Sequence, residues 1–239
     1  MNLSKFTYAY NRHGLIGFLN VLFGKMGIRY RLENQLTRLI SFHYKQIAKL
    51  SKKTILGGVY KGTKLRINEQ WSRLDGASKY LGLYEHEVQE EISIIQNNHK
   101  KKKKYFVNIG AGDGFHALGL LRNKFFNNAI LFEKSHLASD LILLNAKLNN
   151  LTKNITLFNE AKENFLSWFG KQFELNKCFF LIDIEGDEFK LLNDKNLKLL
   201  NKSILVIEIH DFYQNPNPLK KKLKKYFKIK TVTTGMRDL

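Results

Sequence analysis

The sequence predicts an α/β protein: a mostly parallel, doubly wound sheet with helices on both faces, preceded by a helical and hairpin appendage. Three observations carry this. Tyr105 to Ile109 is a short run rich in strand formers that breaks at once into Gly110, Gly112 and Gly114, ahead of a helix-forming stretch from Phe115 to Leu121. Strand-like and helix-like segments then alternate as far as Ile209, the pattern of a parallel sheet. Finally, the turn glycines, Glu133, Asp183 and Glu208 all stand at the carboxyl ends of expected strands, where such sheets bind ligands.

Taken in order, residues 1 to about 53 are basic and aromatic, with Glu33 the only acid. Leu32, Leu36, Ile40, Tyr44 and Ile47 recur at helical spacing, so this segment is expected to pack one face on the main body or lie on an anionic membrane surface. From Thr54 to Ile67, Gly57, Gly58 and Gly62 punctuate β-branched and aromatic residues, predicting a small hairpin that turns near Lys61-Gly62. Ser78 to Ile95 reads as one helix with Tyr80, Leu83, Tyr84, Val88, Ile92 and Ile95 on its apolar face.

The nucleotide-binding unit follows. Strands are expected at 105–109, 129–133, 154–158, 178–184 and 203–209, with helices at 115–124, 137–149, 161–170 and 187–200 between them. Asn215-Pro216-Asn217-Pro218 marks a turn, Leu219 to Phe227 a lysine-rich helix, and Ile229 to Thr233 a final strand. The division expected is a basic appendage over residues 1–100 and a ligand-binding unit over 101–239 whose last strands are incomplete.

Composition sets limits on function. The 239 residues can bury a proper core, and the 44% hydrophobic content fits a globular chain. A single cysteine, Cys178, excludes an internal disulfide and fits a reducing cytoplasm. No stretch resembles a cleavable signal peptide, and the apolar run from Leu15 to Ile28 is too short and too interrupted to span a bilayer. The net charge of +19 invites a nucleic-acid reading, but the lysine runs at 101–104 and 220–225 lack interleaved aromatics and arginines. No specific nucleic-acid partner is therefore expected, while weak contact with an anionic membrane surface remains in view.

The glycine turn separates two cofactors. A dinucleotide fingerprint needs its third glycine where bulky Phe115 stands. The spacing Asn108-x-Gly110-x-Gly112-x-Gly114 instead resembles motif I of class I S-adenosylmethionine (SAM) methyltransferases. Glu133, about twenty residues past the turn, is placed to hold ribose hydroxyls.

Further on, Asp183-Ile184-Glu185-Gly186-Asp187-Glu188 is followed by Leu191-Leu192, and the fifth strand reads Ile207-Glu208-Ile209-His210. Together these resemble the FkbM-like branch of SAM-dependent methyltransferases, over roughly residues 57 to 212. The resemblance implies a Rossmann-like class I methyltransferase fold, with Gly110, Ala111, Gly112, Asp113 and Gly114 around the methionine part of SAM. It further implies Glu133 at the ribose, Glu160 and Ala161 at the adenine, and Asp183 beside the methyl group. Trp71, Tyr84 and Glu85 would form a flap or wall over the cofactor on the substrate side, with plain helix packing the alternative for Tyr84. Asn108 stands where the family carries an acid, so it can orient the turn without supplying charge.

Methyl transfer to oxygen needs alignment and, for a hydroxyl acceptor, a base within hydrogen-bond reach. His210 is the first candidate, with Glu208, Asp183 and Glu185 as alternatives. The same acids could hold a hard cation, but the expectation is of no metal, with Glu188 sitting in a first helical turn in favour of the helix dipole. The acceptor the resemblance implies is a hydroxyl on a sugar, glycan or secondary metabolite; a methyltransferase-fold subunit without catalysis is the alternative, and a nucleic-acid methyltransferase a weaker one.

Overall fold

In the computed structural model, residues 28–67, 75–99, 103–211 and 215–232 are described, with side chains excepted at 28–37 and 99. Five parallel strands form one sheet: β1 (Tyr105–Ile109), β2 (Asn128–Phe132), β3 (Ile155–Phe158), β4 (Cys178–Ile182) and β5 (Ile204–Ile207). Their order is β3-β2-β1-β4-β5. The chain runs outward from β1 to β3, then crosses back to lay β4 on the other side of β1. A topological switch point therefore lies between β1 and β4, and in doubly wound sheets the ligand crevice opens there.

Strand alternation sorts the two faces. Phe106, Ala129, Leu131, Phe179 and Leu181 point to one side, Val107, Ile109, Ile130, Phe132, Phe180 and Ile182 to the other. Against the first side pack α4 (Phe115–Arg122) and α5 (His136–Leu148), with Ile142 fully buried. Against the second pack α6 (Leu166–Gln172), α7 (Glu188–Leu191), α8 (Asp194–Leu200) and α9 (Asn217–Leu223). The architecture is thus Rossmann-like, with helices on both faces.

The N-terminal segment belongs to the first face. Here α1 (Ile28–Leu50) buries Tyr44 and Ala48 and half-buries Ile40 and Ile47, on the expected face; the side chains of Leu32 and Leu36 lie outside the described ones. No helix among the described residues is long and apolar enough to cross a membrane. Asn145 of α5 stitches the appendage to the sheet domain. It is fully buried, accepts from the Arg66 amide at 2.7 Å, and donates to the carbonyls of Arg66 and Asp113, both at 2.9 Å. Asn149, one turn on, makes the same pair of bonds with Lys64.

Several expected elements differ. The helix expected over 78–95 is two, α2 (Gly76–Leu81) and α3 (His86–His99). The chain turns left-handed at Gly82, and Leu83 N–H returns to the Ser78 carbonyl at 2.8 Å, a Schellman-type ending that stops α2. The 187–200 helix is also two, because Asn193 leaves the helix to cap α8, its side chain accepting from Asn196 N–H at 3.0 Å. The hairpin at 54–67 is reduced to one antiparallel bridge between Thr54 and Lys64, since the chain between them closes as turns. The strand expected at 229–233 is absent over 229–232, and Thr233 lies outside the described residues. The helix expected at 161–170 starts only at Leu166, which leaves Glu160 and Ala161 in a loop.

Candidate functional site

A cleft of about 240 Å³ opens at the switch point. Ile109, Gly110 and Gly112 of the β1 turn line it, with Phe132, Glu133 and Lys134 after β2, Glu160 and Ala161 after β3, and Asp183, Ile184, Glu185 and Asp187 after β4. Six of the expected cofactor residues therefore converge: Gly110, Gly112, Glu133, Glu160, Ala161 and Asp183. The walls combine apolar surface with five carboxylates and one lysine.

The two glycines on the cleft serve different ends. Gly110 has φ +84°, and a Cβ there would stand 1.7 Å from the Asp183 carbonyl oxygen, so glycine lets the turn press against the end of β4. Gly112 has φ +56°, and a Cβ would meet nothing within 4 Å: its missing side chain is open space. Glu133 closes the far side of this turn. One carboxylate oxygen accepts from Gly112 N–H and the other from Ser135 N–H, both at 2.8 Å. Its remaining lone pairs can take two vicinal hydroxyls.

The other expected cofactor residues do not line the cleft. Asn108 is buried beneath the turn, its amide reaching the Gly110 carbonyl at 3.5 Å. Ala111 and Gly114 supply backbone; Gly114 N–H bonds the Ala111 carbonyl at 2.9 Å and precedes α4. Asp113 turns inward. Its Oδ2 takes Lys79 Nζ at 2.8 Å and its Oδ1 accepts from Phe115 N–H at 3.2 Å, so it is a buried structural group rather than a wall of the cleft.

Beside the cleft, the loops after β4 and β5 bring acids around His210. β4 ends at Ile182, short of the expected 184, and Glu185 (φ +52°) and Gly186 (φ +102°) turn the chain left-handed. The turn brings Glu185 Oε2 and Asp183 Oδ1 each to 3.6 Å from His210 Nε2, with Glu208 Oε1 at 4.0 Å. One ligand atom from each of Asp183, Glu185 and His210 falls within a 4.8 Å cluster. His210 is 7% exposed, whereas Glu185 and Glu208 reach solvent. An acceptor at this place would therefore meet the carboxylates before the imidazole.

Of the residues expected to form a flap, Glu85 lies near enough to Asp183 and Glu208 for its charge to act on both. Glu85, at φ +45°, accepts from His116 Nε2 at 2.9 Å, while Tyr60 Oη and His116 Nδ1 are 3.0 Å apart. Burial works against the Glu85 charge, but the His116 contact and the Tyr84 and Lys79 side chains outweigh it and hold its pKa at about 2. Tyr84 packs edge-on to Phe115 at 5.4 Å between ring centres, and burial raises its phenol well above the ordinary value. Neither Tyr84 nor Glu85 lines the cleft. Trp71 lies outside the described residues. His116 and Tyr60 carry no sequence signal beyond polar groups in apolar stretches, and Glu188, treated below, reads in sequence as a helix-start acid.

These neighbours tune the acids. Burial, then the Glu85 charge, lift the Asp183 pKa to about 6, against the pull of His210. Partial burial, then the charges of Asp183 and Glu85, lift Glu208 to about 7, although its side chain still reaches solvent. Both acids hold protons in the folded state that the unfolded chain releases above its ordinary range near pH 4. Native protein then binds more protons than unfolded protein, so this cluster costs stability as pH rises from about 4 to 7. Asp183→Asn removes its own share of that cost and one of the charges that lift Glu208. Its melting temperature should exceed wild type by a margin that widens from pH 4 to pH 7 and then levels off; a constant margin, or a widening loss, would sink this electrostatic account.

No protein-family model matches the chain, and no curated protein sequence does. Among solved structures, it is similar to a Streptococcus pneumoniae protein described as a tRNA (m1A22) methyltransferase and solved with S-adenosyl-L-methionine: 13% identity, 57% of this chain, 60% of that one, TM-score 0.41. It is also similar to an O-methyltransferase family protein from Burkholderia thailandensis, at 10% identity over 76% of this chain and 57% of that one, TM-score 0.37. A protein from Listeria monocytogenes serotype 4b superposes at TM-score 0.37 with 13% identity, over 49% of this chain and 50% of its own. The chain thus spans about half to three-fifths of the length of these structures, and its fold rests on its own strand order and register.

Proposed function

We propose that this chain is a SAM-dependent methyltransferase acting on a hydroxyl of a sugar, glycan or other small molecule. The observation that carries the cofactor is the cleft at the switch point. Gly112 leaves room where a side chain would stand, and Glu133 faces it from the adjacent strand end with lone pairs to spare. Ile109, Phe132, Ala161 and Ile184 supply the apolar remainder. The acceptor class rests on the FkbM-like residues from Asp183 to His210.

In this reading Gly110 and Gly112 hold the methionine part, Glu133 the ribose diol, and Glu160-Ala161 the adenine. Bound there, SAM supplies a methyl group on a sulfonium. The chain's task is to align the acceptor oxygen in line with the carbon–sulfur bond and remove its proton. The acceptor's hydroxyl proton would pass to a carboxylate or to His210 as its oxygen took the methyl in place of the sulfonium sulfur. Asp183 and Glu208, lifted to about 6 and 7, have the near-neutral affinity that suits such a base. Asn108, buried and uncharged, brings no charge to a methionine ammonium.

A thermal-shift titration tests the reading. At a hundred times its dissociation constant, SAM should stabilise the fold by about 2.7 kcal/mol. S-adenosylhomocysteine should act likewise, NAD should not, and Glu133→Ala should weaken both shifts. Absence of any shift at millimolar ligand overturns the proposal in favour of a methyltransferase-fold subunit without catalysis.

A further inference from the structure

Glu188 opens a four-residue helix, a position where an acid commonly faces solvent and favours the helix dipole. This one is 0% exposed. Its carboxylate makes three contacts: Oε2 accepts from Gly186 N–H at 2.8 Å, and Oε1 accepts from His210 N–H at 2.7 Å and lies 3.3 Å from His210 Nδ1. The first contact fixes the left-handed turn that carries Glu185. The other two fix a residue 22 positions further on, in the loop after β5. One buried side chain therefore ties together the two strand-end loops that hold the acids.

The ring nitrogens of His210 meet different surroundings. Nδ1 faces the anchored Glu188 carboxylate, while Nε2 faces Asp183 and Glu185 from the loop after β4 and Glu208 from the end of β5. A carboxylate whose two oxygens already accept backbone N–H groups is set up to receive a further donor, which assigns a proton to Nδ1. We propose that Glu188 is a positioning residue of the site: by gripping the Gly186 and His210 backbone and the His210 Nδ1–H, it fixes the imidazole whose Nε2 centres the Asp183, Glu185 and Glu208 carboxylates. The inference deepens the methyltransferase reading, in which those carboxylates and His210 serve the acceptor proton.

Proton and nitrogen NMR of the full chain, labelled at histidine, tests it without any cofactor. His210 signals are identified by their loss in His210→Asn. In wild type the expected result is a protonated Nδ1 with a downfield, slowly exchanging proton. In Glu188→Gln one acceptor oxygen must serve two places that both need one. Exchange of the Nδ1 proton should then quicken by about tenfold or more, the factor a charge-assisted hydrogen bond supplies. Glu188→Asp, which keeps the charge, should restore part of the protection.

A wild-type His210 with an unprotonated Nδ1 overturns the proposal, and that measurement needs no variant to fold. Unchanged His210 signals in a folded Glu188→Gln protein also overturn it, leaving Glu188 a loop cap only. Titration of the same samples with SAM keeps the two readings apart: no SAM binding with the expected His210 signals removes the methyltransferase reading alone, while normal SAM binding with an unprotonated Nδ1 removes this one alone.

Discussion

Gly110→Ala is expected to destabilise the protein by about 3–5 kcal/mol, a methyl forced into packed backbone adding to the strain of a side chain at φ +84°. The Asp183 carbonyl stands 1.7 Å from where the Cβ would go, and Asp183 N–H is itself bonded to the Ile109 carbonyl at 3.0 Å. The turn cannot back away without breaking the last bond between β1 and β4. Gly112→Ala should behave differently. At φ +56° it carries only the left-handed cost of about 1–2 kcal/mol, because its Cβ meets nothing. Its methyl would instead occupy the cleft. Urea unfolding and SAM titration of both variants should separate them: Gly110→Ala losing mainly stability, Gly112→Ala losing SAM affinity out of proportion to stability. Equal stability losses would refute the different roles assigned to the two glycines.

That difference marks the boundary of what the sequence could convey. The order of strands and helices places Gly110, Gly112, Glu133 and Asp183 at strand ends around one cleft without coordinates, and the family resemblance, not periodicity, adds Glu160 and Ala161. Side-chain direction within a loop is another matter. Asp113 sits among the turn glycines and reads as a cofactor residue, yet its partner is Lys79, 34 positions away in the appendage. Glu188 reads as a helix-start acid because nothing local shows that the loop folds its carboxylate under His210. The same limit explains the broken helices. Apolar spacing runs through Gly82 and Asn193 unaltered, and only backbone direction at those residues ends one helix and begins another.

The acids of the site are also distributed against the chain's overall charge. At +19 the molecule is strongly basic, but the cleft is lined by Glu133, Glu160, Asp183, Glu185 and Asp187, with Lys134 the one basic residue among its lining. Ionised carboxylates only accept hydrogen bonds, so this lining suits the hydroxyls of a bound ligand, as Glu133 would a ribose diol.

Lys79→Met should cost about 3–5 kcal/mol, the loss found when one partner of a buried ion pair is left alone. Lys79 and Asp113 side chains are 8% and 3% exposed, and their 2.8 Å contact joins α2 to the glycine turn. The Lys79 ammonium also lies 4.9 Å from the centre of the Tyr84 ring, so its loss removes that contact as well. Asp113→Asn should cost less, because an amide oxygen can still accept from Phe115 N–H. The double variant decides the point. With both charges gone, no uncompensated carboxylate remains under the turn, so Lys79→Met combined with Asp113→Asn should be more stable than Lys79→Met alone, by a coupling of about 1–3 kcal/mol. Urea unfolding of the four proteins measures it. Strict additivity would mean that the pair does not hold the appendage to the turn, and that Asn145, bonded to both Arg66 and Asp113 backbone, carries that junction instead.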